Sequence, residues 1–183
     1  VLFIDDSSGR YRLASVPLAG GSATMLTPAT FDVAGERGAS SLTVVAKTGQ
    51  VYFVSSQKSP YERQVYRMSD RGGAITQVTS LEGVHSPLVS PDGSRLAVLH
   101  SNDVTPTELY VIEPGAAEPR ITRSRLKEFE QYTWTKPRYV TFKSRIDGFT
   151  LHGRLLVPPG LDPGKKYPVV LGSVYNNTAR NEG

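Results

Sequence analysis

The chain has no cysteine, which excludes disulfides, thiolate metal sites and a cysteine nucleophile, and leaves the redox compartment open. Its three histidines, His85, His100 and His152, follow no metal-ligand spacing. No Gly-x-Ser-x-Gly string occurs, so the sharp strand-to-helix turn that presents a nucleophilic serine is missing. The nearest strings, Gly20-Gly21-Ser22-Ala23 and Gly38-Ala39-Ser40-Ser41, fall at turns where glycine already has a structural reason, so neither Ser22 nor Ser40 is expected to be a nucleophile. The first residues are apolar only from Val1 to Ile4 before Asp5 and Asp6, which is too short for a signal peptide or a membrane span. They read as a strand entered in mid-protein, with any targeting segment upstream.

What is present suits a folded, strand-rich chain. Of 183 residues 38% are apolar, enough to build one large domain or parts of two. Seventeen glycines and thirteen prolines punctuate short runs of Val, Leu, Ile, Thr and Tyr, a pattern of strands and turns rather than long helices. The net charge of +4 is dispersed, and its modest concentration from Arg120 to Lys127 is offset by Glu128 and Glu130. Without a recognised reading module that charge describes a solvated surface, and nucleic acid is not expected as a partner.

Three stretches share one plan: an apolar strand, a polar turn, a second strand rich in Tyr and aliphatics, a Gly-rich turn, and a short strand ending in Thr. They run from Val1 to Thr27, from Val51 to Thr79 and from Leu96 to Thr122. Their starts lie about 45 to 50 residues apart, the interval of four-stranded propeller blades. A further strand precedes the second and third units, at Ser41 to Ala46 and at His85 to Ser90. Between His85–Ser90 and the next strand, Pro91-Asp92-Gly93-Ser94 has the chemistry of a tight hairpin: Pro presets φ, Asp bonds back to the backbone and Gly accepts a positive φ. A β-sandwich with hairpins of similar length is the alternative architecture.

After Thr122 the repeat stops. Arg123 to Trp134 is charged, with Leu126, Phe129 and Tyr132 at a spacing that predicts one short amphipathic helix, a connector in which Glu128 and Glu130 are solvated. Lys136-Pro137 then directs the chain into an extended segment. Arg138–Ser144 and Phe149–Val157 form an expected strand pair turned at Ile146-Asp147-Gly148 and closed by Pro158-Pro159-Gly160. A polar loop leads to Tyr167–Tyr175, whose consecutive aliphatics predict a strand buried on both faces. This change from half-exposed alternation to an apolar run marks a second domain. The expected organisation is therefore residues 1–122 as C-terminal blades of a propeller, 123–137 as linker, and 138–183 as the opening of another domain.

Two of these stretches resemble a known family. In KSPYERQVYRMSDRGGAITQVT, Glu62-Arg63 followed by Val65-Tyr66-Arg67 is similar to a propeller blade of the prolyl oligopeptidase family of serine peptidases, in its dipeptidyl peptidase IV-like branch. More specifically, Val140 to Gly183 resembles the family's passage from propeller to hydrolase domain: extended strand, Asp-Gly turn, Leu-x-Gly-x-Leu, Pro-Pro-Gly, Lys-Lys-Tyr-Pro, apolar strand and Tyr.

The resemblance implies a mainly β fold, a partial β-propeller of two to three four-stranded blades followed by the first strands of an α/β-hydrolase domain. It implies a parent serine peptidase that releases N-terminal dipeptides through an acyl-enzyme, acts on peptide substrates and needs no metal or organic cofactor. Tyr175 occupies the place of an oxyanion-hole donor, where a phenol hydroxyl at a strand end can donate to the forming oxyanion. The commoner family form continues with small residues and Pro, whereas Asn176-Asn177-Thr178-Ala179-Arg180 stands here, so the surrounding loop departs from the pattern. The triad Ser, Asp and His are absent, as is the adjacent glutamate pair that binds a free amino terminus, so the chain alone is expected to be inactive. Open strand edges favour an oligomeric or strand-swapped assembly. A stand-alone propeller binding module and an acylaminoacyl peptidase or oligopeptidase of the same family remain the alternatives, and periplasm and cytoplasm are both compatible with the sequence.

Overall fold

A computed structural model of the chain describes residues 1–33, 42–162, 164–172 and 179–182. Two compact units divide it, Val1–Ser124 with Asn181–Gly183, and Arg125–Arg180.

The first unit is three successive antiparallel sheets. The first sheet holds β1 (Leu2–Asp5), β2 (Arg12–Ser15) and β3 (Thr24–Met25). The second holds β4 (Leu42–Val45), β5 (Gln50–Ser55), β6 (Gln64–Ser69) and β7 (Thr76–Gln77), in that order. The third holds β8 (Val84–Val89), β9 (Leu96–Asn102) and β10 (Thr105–Ile112). Among the described residues only the middle sheet has the expected four strands. In the third, the fourth position is reduced to a single bridge between Tyr110 and Arg120.

The threonine that ends each repeat has a definite job. Its hydroxyl accepts a backbone N–H of the repeat's second strand: Thr27 from Leu13 at 2.9 Å, Thr79 from Val65 at 2.9 Å and Thr122 from Leu109 at 2.8 Å. In each case the N–H groups of the threonine and of the residue before it both point to the carbonyl of that same strand residue. The side chain preceding it closes the knot in two of the units, Gln64 Oε1 accepting from the Thr79 hydroxyl and Glu108 Oε2 from the Thr122 hydroxyl. A β-bulge-like hook thus stands where a longer outer strand would otherwise be needed to satisfy these donors.

Alternation along β5 and β6 sends side chains to two cores. Val51, Phe53, Tyr66 and Met68 pack towards the first sheet with Leu13, Phe31 and Val33, whereas Tyr52 and Val65 pack towards the third with Val89, Leu96, Val98, Tyr110 and Ile112. The half-exposed alternation expected of the propeller strands therefore does not hold in the middle sheet. Val51 to Ser55 is buried throughout, because a sheet lies against each face. Each fully buried Val or Phe among them contributes about 1.5–3 kcal/mol.

The turn at Pro91–Ser94 forms as its chemistry requires. Gly93 adopts φ 71° and donates to the Ser90 carbonyl, and Asp92 Oδ1 accepts from the Ser94 N–H and the Ser90 hydroxyl. The Ser90 hydroxyl, then the Ser94 N–H and hydroxyl, hold the Asp92 carboxyl well below its ordinary range. Tyr52 donates its phenol proton to the Gly93 carbonyl at 3.1 Å, tying this turn to the second sheet.

The second unit is smaller. The expected helix over Arg123–Trp134 shrinks to one turn, α1 (Lys127–Glu130), with no buried residue and with Glu128 and Glu130 exposed. Its apolar residues instead build a local aromatic stack, in which the Phe129 and Trp134 rings lie 4.4 Å apart and the indole N–H donates to the Phe129 carbonyl. The strand pair forms as β11 (Arg138–Lys143) with β12 (Thr150–Leu155), turned where Gly148 takes φ 73° and Asp147 accepts from the Phe149 N–H. The strand expected in Tyr167–Tyr175 does not form over its described part. Val169, Val170 and Leu171 are irregular and 76%, 92% and 92% exposed, because an apolar run becomes a strand only when a neighbour pairs with its backbone.

Candidate functional site

The two motifs that carried the family resemblance lie in different units. Glu62-Arg63 precedes β6 at the seam between the second and third sheets. Arg63 donates its backbone N–H to the Gly83 carbonyl at 3.1 Å and accepts the His85 N–H at 2.9 Å, making a parallel bridge to Val84. Its guanidinium is turned back on the local loop, donating to the Pro60 and Glu62 carbonyls, and burial lowers its pKa. Glu62 accepts from Lys58 and from the Gln64 amide at 3.0 and 2.7 Å. Val65 and Tyr66 are core, Tyr66 stacking on Phe53 with ring centroids 6.0 Å apart, and burial raises the Tyr66 phenol. This motif is built to join sheets.

Tyr175 lies outside the described residues, as do Ser40 and its neighbours from Gly38 to Ser41. Downstream of Tyr175 the chain is anchored at Asn181, which is 5% exposed. Its N–H donates to the Tyr61 carbonyl at 2.9 Å, and its Oδ1 accepts the Asp103 N–H at 2.8 Å. Asn181 thus bridges the loop that carries Glu62-Arg63 and the β9–β10 turn. Nothing in the residue pattern announced this contact, because both partners are main-chain atoms of loops remote in sequence.

Ser22 is exposed on a turn whose Gly20 and Gly21 have φ 87° and 122°, a structural use of both glycines. His152 is exposed on β12 opposite Thr141. The other two histidines, which sequence spacing had kept apart, face each other. His85 on β8 is registered directly against His100 on β9, and their ring centroids are 4.6 Å apart. The hairpin offered the signal: folding symmetrically about Asp92-Gly93 pairs residue 85 with residue 100. Among the described residues no group of three or more His, Asp or Glu is placed to hold a metal ion. No helix among them is long and apolar enough to cross a membrane.

In the second unit a cleft of about 460 Å³ opens between Thr135, Lys136 and Arg138 on one side and Val157, Pro158 and Pro159 on the other. Pro158-Pro159-Gly160, expected to close the strand pair, forms one wall of it.

Comparison with known proteins supplies the family. The family profile described as "Dipeptidyl peptidase IV (DPP IV) N-terminal region" matches residues 1–107. A "Probable dipeptidyl-aminopeptidase B" of Aspergillus oryzae is 33% identical over 137 residues, 71% of this chain and 15% of the fungal protein. Dipeptidyl peptidase 8 of Homo sapiens is 31% identical over 158 residues, 80% of this chain and 17% of the human one. The chain therefore spans roughly a sixth of the length of these relatives. The crystal structure of Porphyromonas gingivalis dipeptidyl peptidase 4 superposes on 91% of this chain with a TM-score of 0.73 at 23% identity, using 23% of that chain, a likeness of fold. The successive antiparallel sheets are thus part of a β-propeller, and the chain belongs to the dipeptidyl peptidase IV N-terminal region family.

Proposed function

We propose that this chain is the propeller and junction part of a serine peptidase that removes dipeptides from the N-termini of peptides through an acyl-enzyme. The observation that carries the reading is the family match over residues 1–107 continued by the β11–β12 hairpin, in the order of the Asp-Gly turn, Pro-Pro-Gly and Lys-Lys-Tyr-Pro segments. In this reading residues 1–122 are blades, 123–137 a linker, and 138–183 the opening strands of an α/β-hydrolase domain. The blades wall a chamber that admits peptide ends, and the second unit delivers Tyr175 to the scissile carbonyl.

The chemistry requires a serine nucleophile, a histidine base and an acid from sequence other than these residues. Tyr175 supplies one oxyanion donor, worth most where water is excluded and charge develops on the carbonyl oxygen. The chain by itself does not hydrolyse dipeptidyl substrates and takes no label from a fluorophosphonate probe. Labelling of Ser22, Ser40 or another serine in the purified chain would overturn the placement of the triad. In the peptidase carrying the complete triad, Tyr175→Phe lowers kcat by roughly ten- to a thousandfold with folding intact. An unchanged kcat would reduce Tyr175 to a packing residue.

Isolated, the chain associates through its exposed apolar surfaces and open strand edges. Leu88 and Leu99, 74% and 50% exposed on the outer face of the third sheet, are candidates for that contact. Light scattering over a range of concentrations reads this directly, a monodisperse monomer being the contrary outcome.

A further inference from the structure

The His85–His100 pair belongs to no step of the proposed chemistry, yet it is built with unusual constraint. Both residues are almost fully buried, at 2% and 3% exposure. Each ring makes one hydrogen bond to a main-chain carbonyl: His85 Nδ1 to Arg63 at 2.9 Å and His100 Nε2 to Glu82 at 3.0 Å. A carbonyl can only accept, so these two nitrogens carry the protons, and the tautomers are His85 Nδ1–H and His100 Nε2–H. The remaining nitrogens, His85 Nε2 and His100 Nδ1, are buried with no partner. A second proton on either ring would create a buried cation whose new N–H has no acceptor, beside another imidazole.

The location gives this a consequence. His85 N–H to Arg63 O and Arg63 N–H to Gly83 O are main-chain bonds that join the second sheet to the third, and the pair sits on them. Gly83 takes φ 134°, and a Cβ there would stand 3.0 Å from His100 Nε2, so the ring lies flush against this joint. We propose that the His85–His100 pair is an acid-sensitive latch, whose neutral rings hold the second and third sheets together and whose protonation on acidification opens the seam between them.

The surrounding charges act unequally on the two rings. On the His85 side, burial is the largest influence and lowers its pKa to about 3, with His100 and the Lys58 cation pushing the same way and the Arg63 carbonyl opposing. On the His100 side, burial again lowers the pKa, while the Glu82 carbonyl and the Glu118 carboxylate oppose. Tyr110 meets the His100 ring edge-on at 5.3 Å. Glu108, registered opposite His100 on β10, has its carboxylate committed to Thr122 and Ser124. Because both rings are harder to charge in the closed seam than in an open one, the open form binds more protons. Seam stability is then complete above the ordinary histidine range near pH 6.5 and falls as pH drops towards about 3 for His85.

The test is amide hydrogen exchange of the 183-residue chain from pH 7.5 to 5, above the main carboxylate titrations, with His152→Gln in every sample to remove the third histidine. After correction for intrinsic rates, the opening constant of β8 and β9 amides is flat above about pH 6.5, and below it rises about tenfold per pH unit for each ring that stays neutral while the seam is closed. In the His85→Asn/His100→Gln variant, amides still donate to the Arg63 and Glu82 carbonyls but take up no proton, and the rise falls to within about twofold. An equal rise in variant and parent, or none in the parent, overturns the latch. Should the double variant fail to fold, ring NMR of the parent decides. The assigned neutral tautomer of His85 persists in the folded chain at pH 5.5, and a charged His85 ring there refutes the proposal.

Discussion

The two units use similar strand chemistry to opposite effect. Among the described residues, and Pro137 aside, every buried aliphatic or aromatic side chain lies between Leu13 and Ile112, in the first unit. The second unit leaves Phe142, Ile146, Phe149, Leu155 and Leu156 exposed, and the run Val169 to Leu171 as well. Hairpin geometry is equally regular in both, since β11–β12 keeps an unbroken register from Arg138↔Leu155 to Lys143↔Thr150. What differs is the number of layers: β5 has a sheet on each side, whereas β11–β12 is a two-stranded sheet. Backbone pairing makes a strand, but only a second layer converts its apolar side chains into stability.

The largest expected effect separates the units most sharply. Phe53→Ala, at a fully buried position between the first and second sheets, costs about 3–5 kcal/mol. Phe142→Ala, at a position 55% exposed on β11, shifts stability by no more than about 0.5 kcal/mol. Urea unfolding of the two variants reads both, and comparable losses would erase the contrast between the units.

Next comes the backbone at the seam. A Cβ on Gly83 would lie 2.1 Å from the Ser101 carbonyl oxygen, at a φ that L-residues rarely adopt. Gly83→Ala therefore costs on the order of 3 kcal/mol. Gly148→Ala, at φ 73° in the β11–β12 turn with open space around the site, costs roughly 1 kcal/mol. Thermal melts rank the pair, and the reverse order would contradict the tight seam.

The threonine hooks predict a smaller loss. Thr79→Val keeps the shape but strands the buried Val65 N–H and one lone pair of Gln64, a loss of about 1–3 kcal/mol. Hydrogen exchange at Val65 is the direct reporter, and unchanged protection there would make the threonine a mere filler. Smallest of all is Arg95→Ala. Its 3.0 Å pair with Glu113 is 66% and 58% exposed, and its removal changes stability by about 0–0.5 kcal/mol.

The hooks also show how much of the fold was legible. That each repeat ended in threonine was plain in the sequence, as were β4 to β6, the Asp92-Gly93 turn and the β11–β12 hairpin, because these depend on alternation and turn chemistry within a few residues. The His85–His100 contact was latent in that same turn, since a symmetric hairpin pairs the two positions. Asn181 was beyond reach, because its partners are the main-chain atoms of Tyr61 and Asp103 on distant loops. The amphipathic spacing of Leu126, Phe129 and Tyr132 misled. Its aromatic residues gain more by stacking on Trp134 than by facing a core that a single helical turn does not reach.

By itself, then, the amino-acid sequence determined the repeat length, the strand-and-turn alternation and the family-like motifs, all consequences of backbone preferences acting over short distances. Tertiary structure alone decided which strands would be covered. Val51–Ser55 and Val169–Leu171 are both apolar runs, yet the first is buried on both faces and the second stays irregular and exposed. A run of aliphatic residues records an appetite for burial. Whether it is met depends on a neighbouring backbone to pair with and a second layer to pack against, and neither is written in the run itself.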